Sequence, residues 1–101
     1  MKGRKFNMIF EWDSNKNKIN IAKHSVSFEE AESVFYDDNA LLIADPDHSE
    51  KEERFILLGF SKEANMLVVV HCYRNDDSII RIISARKANK QEREEYHHGN
   101  N

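Results

Sequence analysis

Between Ser78 and Ala88 the chain reads Ser-Ile-Ile-Arg-Ile-Ile-Ser-Ala-Arg-Lys-Ala, four isoleucines threaded with Arg81, Arg86 and Lys87. Arginine carries a planar fork of N–H donors that stays charged and matches the oxygens of a phosphate or a carboxylate. β-Branched residues at this density favour a strand. An arginine on a core strand is costly unless it is paired or faces water. Either each arginine lies on a solvated face or holds a carboxylate, or the sheet presents cations to a phosphate. Arg74 stands at the end of the preceding apolar run, Met66–Tyr73, which also contains His71. An imidazole exchanges protons near neutral pH, yet a histidine inside such a run is read equally well as a satisfied core residue. Asp45, Asp47 and His48 cluster in one loop but lack the spacing of a strong metal motif, and His48 has no nearby second His or Cys. No metal and no other cofactor is expected.

The bounds agree with a small charged globule. At 101 residues the chain is expected to be one domain, 40% hydrophobic and 33% charged. Its single cysteine, Cys72, excludes an internal disulfide and is compatible with a reducing cytosol. No run approaches a membrane-spanning length and Met1–Phe10 has no apolar signal core, so a cytoplasmic protein is expected. The net charge of −3 argues against a protein that coats nucleic acid non-specifically. Acids crowd the middle of the chain, however, and bases gather from Arg74 to Arg93. A local basic patch binds phosphate whatever the global sign.

The elements that must position these residues follow from periodicity. Met8–Trp12 reads as a short strand, with Asp13 or Ser14 as N-cap of a helix over Ser14–His24. Ser27 and Glu30 have the spacing of a capping box, and Phe28, Ala31, Val34 and Phe35 then share one helical face. Ala40–Ala44 has strand length. Three further strands, Glu53–Phe60, Met66–Arg74 and Ser78–Lys87, are joined by short polar links and should form an antiparallel meander. Asn89 can cap a closing helix, Lys90–Tyr96, followed from His97 to Asn101 by a frayed tail. The expected architecture is α+β, an antiparallel sheet with helices on one side.

Side chains alternate across a strand, so the last hairpin's register sorts the cations. A turn over Asn75–Ser78 pairs Arg74 with Ile79 and Cys72 with Arg81. Arg74, Cys72, Arg81 and Lys87 then share one face, and His71, Tyr73 and Arg86 the other. A three-residue loop would instead bring Arg74 to Arg86. In either register arginines gather at one end of the hairpin and the start of the closing helix.

The residues also carry a resemblance. Phe10-Glu11-Trp12-Asp13, Lys16, Asn20, Lys23-His24, Val26–Ala31 and Val34-Phe35 resemble the front half of the BrnT toxin family. Asp47-His48-Ser49, Glu53-Arg54-Phe55, Gly59, Leu67–His71, Arg74, Arg81–Ala88 and Tyr96 are similar to its back half. The resemblance implies a RelE-like fold and a ribonuclease toxin of a type II toxin–antitoxin pair that arrests translation. It also implies a BrnA-like antitoxin that dimerises, binds operator DNA and joins two toxins in one complex.

Metal-free RNA cleavage uses the ribose 2′-hydroxyl as nucleophile. It needs a base near that hydroxyl, cations around the phosphorane and a proton source for the leaving oxygen. On this reading Arg74 and Arg86, then Arg81, hold phosphate, and His71 is the candidate for proton transfer. Glu53 could be a base and Arg54 a further cation, although either serves equally as an edge-strand ion-pair partner. Lys87 could steer RNA. Tyr96 could stack on a base or cover the sheet. The competing reading is a non-catalytic subunit whose arginines only bind a partner's carboxylates or DNA phosphates.

Overall fold

The computed structural model describes residues 8–45 and 53–100. Its elements are β1 (Ile9–Glu11), α1 (Ser14–His24), α2 (Phe28–Ser33) continued by a 3-10 turn (Val34–Tyr36), β2 (Leu41–Ala44), β3 (Phe55–Phe60), β4 (Met66–Arg74), β5 (Ile79–Lys87) and α3 (Lys90–Gly99). The strands form one sheet in the order β1-β5-β4-β3-β2. The expected α+β class holds, and β2 to β5 pair antiparallel. The sheet is mixed because β1 runs parallel to β5, with Ile9 opposite Ile79 and Glu11 opposite Arg81. A three-residue strand carries no pattern that specifies its direction.

Local chemistry explains the helix ends. Asp13 caps α1, its Oδ1 accepting from the backbone N–H of Asn15 at 2.8 Å and of Lys16 at 3.1 Å. Ser25 stops the helix in the left-handed region, φ 60°. Between these ends, buried Asn20 donates to the carbonyls of Ala85 at 2.8 Å and Val26 at 2.9 Å, and accepts from the N–H of Ala85 at 3.1 Å. β1 pairs only the first part of β5, so Asn20 gives the remaining edge the partners a neighbouring strand would supply. Ser27 caps α2 through the N–H of Glu30 at 3.0 Å. The Glu30 carboxylate, expected to return to Ser27, instead accepts from Ser61 Oγ at 2.7 Å and Asn65 Nδ2 at 2.9 Å, pinning the β3–β4 turn.

Two apolar clusters lie on opposite faces of the sheet, as strand alternation requires. Phe28, Ala31 and Val34 pack on Leu57, Leu67, Val69, Ile82 and Ala85. Tyr96 of α3 packs on Leu58, Met66, Val68 and Ala88. The expectation of helices on one side is therefore corrected: α3 crosses to the other face and covers one end of it. α3 also runs through Gly99, so His97–Gly99 belong to the helix and not to the frayed tail expected there. At this end β3 lies against the turn after α2. A Cβ on Gly59 would come within 2.8 Å of Ala40 Cβ, and Asp37 Oδ2 accepts from the Phe60 N–H at 2.8 Å.

Candidate active site

The hairpin closes in the first of the two registers considered, Arg74 opposite Ile79 and Cys72 opposite Arg81. Asn75, Asp76 and Asp77 all take positive φ (52, 55 and 71°), a conformation Asn and Asp tolerate better than most residues. Farther along the same pair of strands the ladder is interrupted. Val70 pairs with Ser84 but His71 with Ile82, leaving Ile83 as an extra residue in β5. Such a bulge shifts the alternation by one. Arg86 comes opposite Val68 and Lys87 opposite Leu67. The expected face assignment is thus corrected for this pair: Arg86 joins Arg74 and Arg81, and Lys87 is turned to the face that α1 and α2 cover.

All three arginines therefore stand on the face that α3 leaves half open, and each holds a carboxylate. Arg81 Nη1 lies 2.9 Å and Arg74 Nε 3.5 Å from the same oxygen, Glu11 Oε2. Arg86 grips Glu92 through two parallel bonds, Nη1 to Oε1 at 2.9 Å and Nη2 to Oε2 at 2.7 Å. This pair holds the Glu92 carboxyl below its usual range and raises the guanidinium further. Arg74 and Arg86 remain about half exposed, with 47% and 43% of each side chain open to solvent. A guanidinium has five N–H donors, so a carboxylate partner does not exhaust its capacity for phosphate.

Beside Arg86 lies a trough of about 220 Å³. Ile56, Val68 and Val70 line it together with His24, Ser84, Arg86 and Asp45. His24 reaches it because α1 lies along the part of β5 that β1 leaves uncovered, and His24 is the last residue of that helix.

The other expected site residues lie elsewhere. His71 is fully buried on the helix-covered face, its ring against Phe35 (4.9 Å between centroids) and Tyr73 (5.2 Å). Its Nε2 lies 3.2 Å from the Tyr73 hydroxyl and its Nδ1 3.3 Å from the Val69 carbonyl. Burial pushes its pKa down to about 4, which keeps the ring neutral. This is the environment of a core histidine, and the proposed proton-transfer residue is not brought to the arginines. Glu53 shares a depression at the hairpin tip with Leu42, Phe55, Tyr73 and Arg74, apart from Arg81 and Arg86. Arg54 immediately precedes β3, its carbonyl accepting from the Asp45 N–H at 3.0 Å. Tyr96 covers the sheet: it is buried, its hydroxyl donates to Asp37 Oδ2 at 2.8 Å, and burial with that carboxylate raises its pKa to about 12. Asp47 and His48 lie outside the described residues. Among the described residues no group of three or more His, Cys, Asp or Glu could hold a metal ion, and no helix is long and apolar enough to cross a membrane.

Glu11 and His24 were missed as site residues. Both sat in stretches that carried the family resemblance, but no local signal shows that a parallel β1 brings Glu11 beside Arg81, or that α1 ends at the trough.

Residues 12–92 match the family model described as the ribonuclease toxin, BrnT, of type II toxin–antitoxin system. The chain belongs to the BrnT toxin family. Its fold is similar to the crystal structure of the Brucella abortus ribonuclease toxin BrnT, with a TM-score of 0.60 and 24% identity over 82% of this chain and 97% of that one. A search of curated proteins finds no match. Membership of this family brings an RNA substrate and an antitoxin partner with it.

Proposed function

We propose that the chain is an endoribonuclease that binds RNA along the open half of its sheet, without a metal ion. The observation that carries this reading is the β5 bulge, which sets Arg74, Arg81 and Arg86 on one uncovered face. Arg81 and Arg74, held together by Glu11, engage one phosphate, and Arg86 engages another. Arginines so placed supply the positive charge that a divalent ion contributes in metal-dependent nucleases. As in RelE-like toxins, the 2′-hydroxyl is the nucleophile and cleavage arrests translation in the cytoplasm. A BrnA-like antitoxin neutralises the toxin by covering this face. Its dimer joins two toxins and contacts operator DNA. Family membership supports these partner assignments.

The test is RNA cleavage by the purified chain in excess EDTA, beside Arg81→Ala and Arg86→Ala with folding checked by circular dichroism. Cleavage that persists in EDTA and falls in both folded variants is expected. A metal requirement defeats the metal-free reading. Full activity in both variants moves the chemistry away from this face. The two carboxylate-bound arginine groups give the non-catalytic reading one specific observation in its favour, since an antitoxin carboxylate could take the place of Glu11 or Glu92. A wild-type chain that binds antitoxin yet cuts no RNA would establish that alternative.

A further inference from the structure

The trough beside Arg86 contains a group to which the function proposed above gives no role. We propose that His24 donates the proton to the leaving 5′ oxygen when RNA is cut there; the inference rests on the ribonuclease reading.

His24 lines the trough with Arg86 and Ser84, over a floor of Ile56, Val68 and Val70. It is half-buried, and among the described residues no hydrogen bond or ion pair ties its ring. An imidazole is the side chain best suited to proton exchange near neutral pH. The other histidines are poorly placed for this work. His71 is sealed between aromatic rings on the opposite face. His97 and His98 sit exposed in the last turn of α3 and do not line the trough. His24 is thus the histidine, among those described, that shares a concavity with a phosphate-binding cation. The charged groups that share the trough with His24 are Asp45 and Arg86, the latter bonded to Glu92.

The step balances as follows. The 2′ oxygen attacks phosphorus and its proton passes to water. The P–O5′ bond breaks, the 5′ oxygen takes its electron pair and the proton from His24, and the imidazole is reprotonated from solvent. The products are a 2′,3′-cyclic phosphate and a 5′-hydroxyl.

The test uses the full chain and His24→Gln on two versions of one short RNA whose cut site has been mapped. One has the natural 5′ oxygen at the cut, the other a sulfur in its place, a leaving group that departs without a proton. Affinity is measured separately on the 2′-O-methyl RNA, which cannot be cut. We expect His24→Gln to cut the oxygen substrate about 100-fold more slowly with its affinity essentially unchanged. On the sulfur substrate it should approach the wild type. A variant that cuts the oxygen substrate at the wild-type rate overturns the proposal. So does an equal deficit on both substrates, which is what a merely structural role at the end of α1 would give. Should His24→Gln fail to fold, the wild-type pH profile decides: a fall in rate at alkaline pH on the oxygen substrate must be missing on the sulfur one. If the wild type cuts no RNA at all, the ribonuclease reading has failed and the inference falls with it.

Discussion

The two faces of the sheet are made by alternate residues of the same strands, and they do opposite things with their polar groups. On the covered face, His71 keeps its nitrogens near Val69 and Tyr73 under a lid of aromatic rings. On the open face, charged groups are paired yet still half exposed, Arg74 with Glu11 and Arg86 with Glu92. A buried polar group that makes its bonds internally serves folding. A cation that holds a carboxylate at the surface can still exchange it for, or add, a phosphate. The proposed chemistry therefore uses the open face. The histidine that sequence favours lies on the covered one.

The largest expected effect lies under the helices. Phe28 is fully buried against the first cluster, so Phe28→Ala should cost about 3–5 kcal/mol in urea unfolding, a large share of a small domain's stability. A comparable cost from truncating an open-face arginine would break the distinction between the faces.

A titration of the covered face comes next. Burial lowers the folded-state pKa of His71 from 6.5 to about 4. Below pH 6.5 the unfolded chain takes up a proton that the folded chain refuses. Stability is therefore lost as pH falls from about 6.5 towards 4, by up to about 3 kcal/mol, and levels off below. Urea midpoints at pH 7, 5.5 and 4 check this, with His71→Leu expected to flatten this part of the curve. If His71→Leu keeps the full slope, the acid sensitivity belongs to other groups. RNA cleavage at pH 7 should survive His71→Leu in proportion to the folded fraction; a specific loss would return His71 to the reaction.

On the open face the effects invert. Arg81→Ala and Arg86→Ala should each lower RNA cleavage about 100-fold, while changing stability by no more than about 1 kcal/mol, as for partly exposed ion pairs. Cleavage assays alongside thermal melts separate the two quantities. Unfolding with little specific loss of activity would make these arginines structural.

Much of the fold was legible because local signals agreed. Ser27 capping α2, the apolar face of Phe28, Ala31 and Val34, and the polar link before Ile79 each pointed to the element that forms. What failed depends on contacts between distant segments. No pattern in Ile9–Glu11 shows that it lies parallel to β5, and that pairing brings Glu11 to Arg81. Glu30 has the spacing of a capping box but bonds better to Ser61 and Asn65, which lie more than 30 residues away. The bulge is invisible in the run of isoleucines, since Ile82 and Ile83 are equally good strand residues. Within the register that forms, its one extra residue exchanges the faces that simple alternation gives Arg86 and Lys87, and it creates the arginine face.

The smallest expected effect tests that reassignment most closely. Arg86 and Lys87 are adjacent, both basic and both at the end of β5, so proximity in sequence gives them similar access to RNA. Alternation separates them and the bulge decides which faces the trough: Arg86 lies opposite Val68 at the trough, and Lys87 opposite Leu67 on the helix-covered side. Lys87→Ala should then leave cleavage within about twofold of wild type, the ordinary range for an exposed lysine that contributes only distant attraction. Raising the salt should shrink even that difference, because a screened charge loses its reach while a bidentate contact keeps much of its own. If Lys87→Ala is instead as damaging as Arg86→Ala, and salt does not relieve it, RNA contacts both sides of the β5 end and the two faces are not functionally separate there.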